Sequence, residues 1–173
     1  MLLFSCQEQT ATKPSTTNIV VDSVAIVTAL IDSLSSEIIS DSLNASLYFD
    51  RAQVYLKSSA LSLGSRDLLR SVRLDSTNAY YWQQLGKLEY AMKNSRYANN
   101  AWEKCARLDS RNINCRLDLA EIYLAVGELK KGQEKLDEIL SFDSKNAEAL
   151  YLSGNYALVK EDTLKAFKLI QAS

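Results

Sequence analysis

The tetrapeptide Asp75-Ser76-Thr77-Asn78 recurs, with one variable position, as Asp41-Ser42-Leu43-Asn44, Asp109-Ser110-Arg111-Asn112 and Asp143-Ser144-Lys145-Asn146, each copy 34 residues from the next. Two further series keep the same register. Ala52, Gly86, Ala120 and Gly154 form one, and Gly64, Ala98, Gly132 and Ala166 form the other. Four residues after the second series stand Leu68, Trp102, Leu136 and Ile170, so each small/large pair shares one helix face. Where two helices cross closely a side chain must be small, and one turn later a large one fills the adjoining groove. The period therefore predicts two helices per unit. Asp-Ser-x-Asn ends one unit and caps the next through Ser or Asn; it reads as a turn, not a site.

Composition points the same way. In 173 residues proline occurs once, at Pro14, and glycine five times, so the punctuation of a many-stranded fold is missing. Helices are predicted near 20–40, 44–57, 60–74, 78–93, 95–108, 112–126, 129–142, 146–160 and 162–172. The first carries Val20, Val24, Val27, Ile31, Leu34 and Ile38 as a single apolar stripe, which suits an N-terminal capping helix over 19–43.

A 34-residue helix-turn-helix period resembles the tetratricopeptide repeat. Trp82-x-x-Leu85-Gly86 followed by Ala98-x-x-x-Trp102 matches that family's signature, and Tyr55 and Tyr123 stand where it usually has an aromatic. The likeness runs from Asn44 to Ser173. It implies an all-α fold, a right-handed superhelical solenoid of antiparallel helix pairs with about three and a half to four repeats (44–77, 78–111, 112–145 and an incomplete 146–173). Two departures stand out. The proline usual before each repeat is Ser42, Ser76, Ser110 and Ser144 here, and the first repeat lacks the Trp and Gly of the signature.

The resemblance also implies a concave surface lined by the first helix of each repeat and used to grip peptides or partner proteins. Carrying its usual groove positions over gives Phe49, Gln53, Gln83, Lys87, Tyr90, Leu117, Glu121, Tyr151 and Asn155. Some members clamp a peptide's terminal carboxylate with Lys and Asn on these faces. Phe49 and Gln53 replace the first such pair, so a less acidic ligand is expected.

Charge and residue usage exclude other classes. Twenty Lys and Arg balance twenty-one Asp and Glu, leaving no basic field to recruit nucleic acid. Histidine is absent, which removes the commonest general base and metal ligand. Acidic neighbours such as Asp137-Glu138 and Glu161-Asp162 point apart on a helix and read as solvated faces. With no phosphate loop, metal-ligand spacing or nucleophile–base pair, the expectation is a non-enzymatic interaction module without cofactor or metal.

At the front, Met1-Leu2-Leu3-Phe4-Ser5-Cys6 resembles part of a lipoprotein signal, over 1–6, with Cys6 as the lipidated residue. Residues 7–18, rich in Thr, Ser and Gln, read as a flexible tether. A bacterial cell envelope location follows, as an outer-membrane lipoprotein or in the periplasm; the alternative is cytoplasmic. Cys105 and Cys115 flank the Asp109–Asn112 turn. They read as small buried free thiols, a disulfide in an oxidising periplasm being the alternative. At the far end Phe167, Leu169 and Ile170 have no capping helix after them. Either the chain continues past Ser173 or this end pairs with another copy, so a self-associating envelope subunit and an accessory domain of a longer protein are the alternative functions.

Overall fold

The computed structural model describes residues 16–173, with side chains from Val24 onward. Residues 1–6, expected to be part of a lipoprotein signal with Cys6 as its lipidated residue, and the first part of the expected tether lie outside the described residues. Nine helices follow: α1 (Thr16–Ser40), α2 (Ala45–Lys57), α3 (Leu61–Leu74), α4 (Ala79–Ala91), α5 (Ser95–Leu108), α6 (Ile113–Ala125), α7 (Leu129–Phe142), α8 (Ala147–Val159) and α9 (Thr163–Ala172). Among the described residues there is no strand. The eight repeat helices begin and end within one or two residues of the expected spans. α1 starts earlier, so Thr16, Thr17 and Asn18, read as tether, form its first turn.

Each Asp-Ser-x-Asn turn works by the same local chemistry. Asn44, Asn78, Asn112 and Asn146 cap α2, α4, α6 and α8, their side-chain oxygens accepting from Ser46, Tyr80, Cys115 and Ala149 backbone N–H groups. The cap is Asn every time, and the Asp braces it. Asp75 accepts from Thr77, and the Asn112 and Asn146 amides donate to Asp109 and Asp143. Rigidity that proline would supply comes partly from aromatic side chains: Trp82 Nε1 donates to Ser76 O at 3.0 Å and Tyr48 Oη to Ser42 O at 3.2 Å.

The turns inside the repeats are equally regular. Ser59, Lys93, Gly127 and Glu161, spaced by the same period, all take the left-handed conformation, with φ of 60°, 65°, 76° and 62°. After each, the chain folds back. Ala60, Asn94, Glu128 and Asp162 N–H groups bond to Tyr55, Glu89, Tyr123 and Ala157 carbonyls, the Schellman closure of a helix end. Only Gly127 meets that conformation without a Cβ penalty.

Packing follows the small/large code. α2 pairs with α3, α4 with α5, α6 with α7 and α8 with α9, and each pair stacks on the next. Ala52, Ala98, Ala120 and Ala166 have no exposed surface, nor have Leu68 and Leu136. A Cβ at Gly86 would overlap the Trp102 indole, and one at Gly132 would overlap the Tyr156 phenol ring. The Tyr156 hydroxyl in turn donates to the Ala120 carbonyl, tying α8 to α6. Three core clusters result, each spanning neighbouring units.

Two arginines, Arg51 half-buried and Arg116 buried, cross-brace the stack. Arg51 of α2 meets Asp67 of α3 bidentately, at 2.6 and 2.9 Å, and donates to Ser35 of α1 at 3.0 Å. Arg116 of α6 pairs with Glu138 of α7 at 2.8 Å and also donates to the Asp109 and Asn112 carbonyls. α1 lays Val27, Ile31, Leu34 and Ile38 of its stripe toward α2, Ile38 buried and the others half-buried, whereas Val24 of the same expected stripe is 61% exposed. At the other end Leu164 and Phe167 of α9 are 67% and 64% exposed.

One expectation is corrected. Cys105 and Cys115 are not free thiols but form a disulfide, both fully buried, with Cα atoms 6.3 Å apart. The tight Asp109–Asn112 turn and the Asn112 cap, which bonds the Cys115 N–H, lay the last turn of α5 beside the first turn of α6. Both residues still pack as small hydrophobes in the second core cluster.

The close helix crossing is testable. Gly132→Ala places a methyl against the Tyr156 ring and its hydroxyl contact, so stability should fall by about 2–3 kcal/mol on overpacking grounds. Urea unfolding followed by circular dichroism measures it; a loss below about 0.5 kcal/mol contradicts the packing assignment.

Candidate functional site

The first helices of the four pairs lie side by side, and the row they present is the candidate site. Contacts run from one to the next. Phe49 of α2 stacks on Tyr81 of α4 with ring centres 4.8 Å apart and tilts against Tyr80 at 5.5 Å. Lys87 of α4 acts on Asp118 of α6, as do Glu121 of the same helix and Glu148 of α8. A ligand lying along the row thus meets all four units.

The nine candidate residues divide by burial. Lys87, Tyr90, Glu121 and Tyr151 are exposed, and Tyr90 rests its ring edgewise 5.6 Å from Trp102. Phe49, Gln53 and Asn155 are half-buried; the Gln53 amide nitrogen is enclosed without a hydrogen-bond partner. Gln83 and Leu117 are 5% exposed and differ from expectation. Leu117 belongs to the third core cluster, with Leu136 and Tyr156, and is a packing residue. Gln83 is likewise covered. The helical face that lines the groove also seats the neighbouring first helix, so the position of Gln83 and Leu117 is covered by stacking, whereas Tyr151 at the same position in α8 is not.

Three residues of the row escaped the sequence reading: Tyr80, Asp118 and Glu148. Each stands three residues before a position carried over, Gln83, Glu121 and Tyr151, on the same face, so helical spacing held the signal. Asp118 is the most informative. Its Oδ2 is enclosed with no hydrogen-bond partner. Burial pushes its carboxyl up to about 6; the Lys87 ammonium pulls it down, and Glu121 and Glu148 raise it further. Lys87 is therefore the lone cation among Asp118, Glu121 and Glu148. Electrostatically this stretch favours a donor-rich or cationic ligand over an acidic one. Among the described residues no group of His, Cys, Asp and Glu side chains is placed to hold a metal ion.

The raised carboxyl fixes a pH dependence. A folded-state value near 6 against 3.8 unfolded means the native state holds its proton more tightly. Stability from this group is present below the unfolded value and is lost as pH rises toward about 6. Asp118→Asn removes the ionised form, so its melting temperature should exceed wild type at pH 7.5, by up to about 2 kcal/mol in stability, and converge with it near pH 4. A difference independent of pH contradicts this.

No protein-family model matches the chain, and no curated protein matches it in sequence. Solved structures do. Over 82% of this chain and 83% of the other, the crystal structure of MamA superposes with a TM-score of 0.76 at 19% identity. YrrB, described as a TPR protein with an unusual peptide-binding site, gives 0.74 at 17% identity over 88% of this chain and 79% of that one. PilF of Pseudomonas aeruginosa gives 0.67 at 21% identity over 80% and 63%. At these identities the likeness speaks for architecture: the chain has the all-helical fold of the tetratricopeptide-repeat solenoids.

Proposed function

We propose that this chain is a non-enzymatic interaction module that holds a peptide or an extended segment of a partner protein along α2, α4, α6 and α8. The observation that carries the reading is the row itself. Tyr80, Tyr90 and Tyr151 are 53%, 42% and 50% exposed on first helices whose other faces are committed to the core. Tyrosine offers a large amphipathic surface at small entropic cost, and the amides of Gln53 and Asn155 suit a peptide backbone. Lys87 amid three carboxylates sets the preference for a ligand that is not acidic. That one structural neighbour, YrrB, is described as binding a peptide is consistent with this use of the fold.

The setting we propose is a bacterial cell envelope, with Cys6 as a lipid anchor and the following residues as a tether. The Cys105–Cys115 disulfide favours an oxidising compartment, since cytosolic thiols are kept reduced. No helix among the described residues is long and apolar enough to cross a membrane.

Two experiments test these readings. Tyr90→Ala with Tyr151→Ala should weaken recovery of a bound partner by about tenfold or more while leaving the melting temperature within a few degrees, as the rings are largely outside the core. Undiminished recovery moves the site off this face. For the anchor, metabolic labelling with a palmitate analogue on protein expressed behind a complete signal should mark wild type and spare Cys6→Ala; equal labelling ends that proposal.

A further inference from the structure

A second recess lies away from the row of first helices. It encloses about 460 Å³ between α3 and α5, with α4 as its floor. Trp82, Leu85 and Glu89 of α4 line it, roughly 130° around that helix from Gln83, Lys87 and Tyr90 at about 100° per residue. Leu69 of α3 and Tyr97 of α5 form its sides.

The equivalent recess one unit later measures about 340 Å³ and has Tyr123 in its lining, so what sets this recess apart is the residue that stands at that position. Tyr123 reaches from α6 to Glu103 of α5, its hydroxyl 2.9 Å from the carboxylate. The two residues one period earlier are Glu89 and Leu69. The acidic group has moved from the rim to the floor, and no ring stands at its position.

Glu89 is only 6% exposed. One carboxylate oxygen accepts from the Ser65 hydroxyl at 2.6 Å and the other from the Asn94 amide at 2.8 Å. Those donors are neutral. No ion pair among the described residues includes Glu89, whereas buried Asp67 has Arg51 and buried Arg116 has Glu138. Arg73 stands on the wall, exposed, without pairing to it. An enclosed carboxylate without a counter-ion is costly, and a carboxylate accepts about four hydrogen bonds, of which two are taken.

We propose that this recess receives a lysine or arginine side chain of a partner protein, its cationic head on Glu89 and its aliphatic stem along Leu69, Leu85 and Tyr97. The fit is chemical as well as electrostatic. Such side chains lay their methylenes on apolar surface while the head finds an acceptor, and an aromatic wall adds a favourable face for the cation.

The test uses the whole chain with butylammonium and butylguanidinium chloride as probes and 1-butanol as the neutral control. Nuclear magnetic resonance follows the Trp82 indole and Asn94 side-chain amide signals. Both cations should shift them saturably, and 1-butanol should not. Glu89→Gln should weaken cation binding by about tenfold or more, whereas Arg73→Ala, which removes a like charge from an exposed position, should strengthen it. The Tyr90→Ala, Tyr151→Ala double variant should bind the probes as wild type does, which separates this recess from the proposed groove. Equal shifts with 1-butanol, unchanged binding by Glu89→Gln, weaker binding by Arg73→Ala, or loss in the tyrosine variant would each overturn the proposal. If Glu89→Gln does not fold, the opposite sign expected of Arg73→Ala decides alone.

Discussion

Everything in this molecule depends on how closely two helices of a pair can approach. Gly86 lets the Trp102 indole lie against the α4 backbone, and Gly132 accepts the Tyr156 ring and hydroxyl from the next unit. Where alanine stands instead, at 52, 98, 120 and 166, it is wholly covered. Close crossing leaves the large residues at Leu68, Trp102 and Leu136 nowhere to go but the adjoining groove, which is why they are buried and why one pair must sit on the next. No pair could satisfy itself alone. The stack is the unit of stability, as expected of repeat architectures.

That constraint also explains the site. Once one face of each first helix is spent on its own partner and a second on its neighbour, a narrow stripe remains. Gln83 and Leu117 are covered, while Lys87, Tyr90 and Glu121 stay exposed, as does Tyr151, which stands in α8 at the repeat position of Gln83 and Leu117. Asp118 lies between, with one oxygen enclosed and no donor for it. The result is a carboxyl reluctant to ionise beside a single ammonium, which is an electrostatic preference built from packing rather than from charge count. The chain as a whole is nearly neutral, so this preference is local.

The departures from the repeat carry as much meaning as the repeat. Where the units before and after carry Tyr55 and Tyr123, Glu89 puts a carboxylate without a counter-ion on the floor of a recess. Where proline is missing before each unit, Asn caps, Asp braces and the Trp82 and Tyr48 hydrogen bonds to Ser76 and Ser42 hold the turns. Three of the four left-handed turn positions forgo glycine, and the Schellman bonds that follow keep them in place.

The sequence alone determined the period, the helix spans and the fold class, because each is a one-dimensional pattern: caps every 34 residues, small residues four before large ones. The tertiary structure decided what depends on distance between units. It joined Cys105 to Cys115, since only the turn between α5 and α6 brings those two positions together. It separated Leu117 and Gln83 from Tyr151, which stands at the same repeat position, since a neighbouring first helix packs over that position in α4 and α6 and none among the described residues does so in α8. It placed Asp118 among Lys87, Glu121 and Glu148 from three helices, and left Glu89 buried without a cation. Burial and charge pairing are sums over neighbours in space, and a linear period names those neighbours only after the stack has formed.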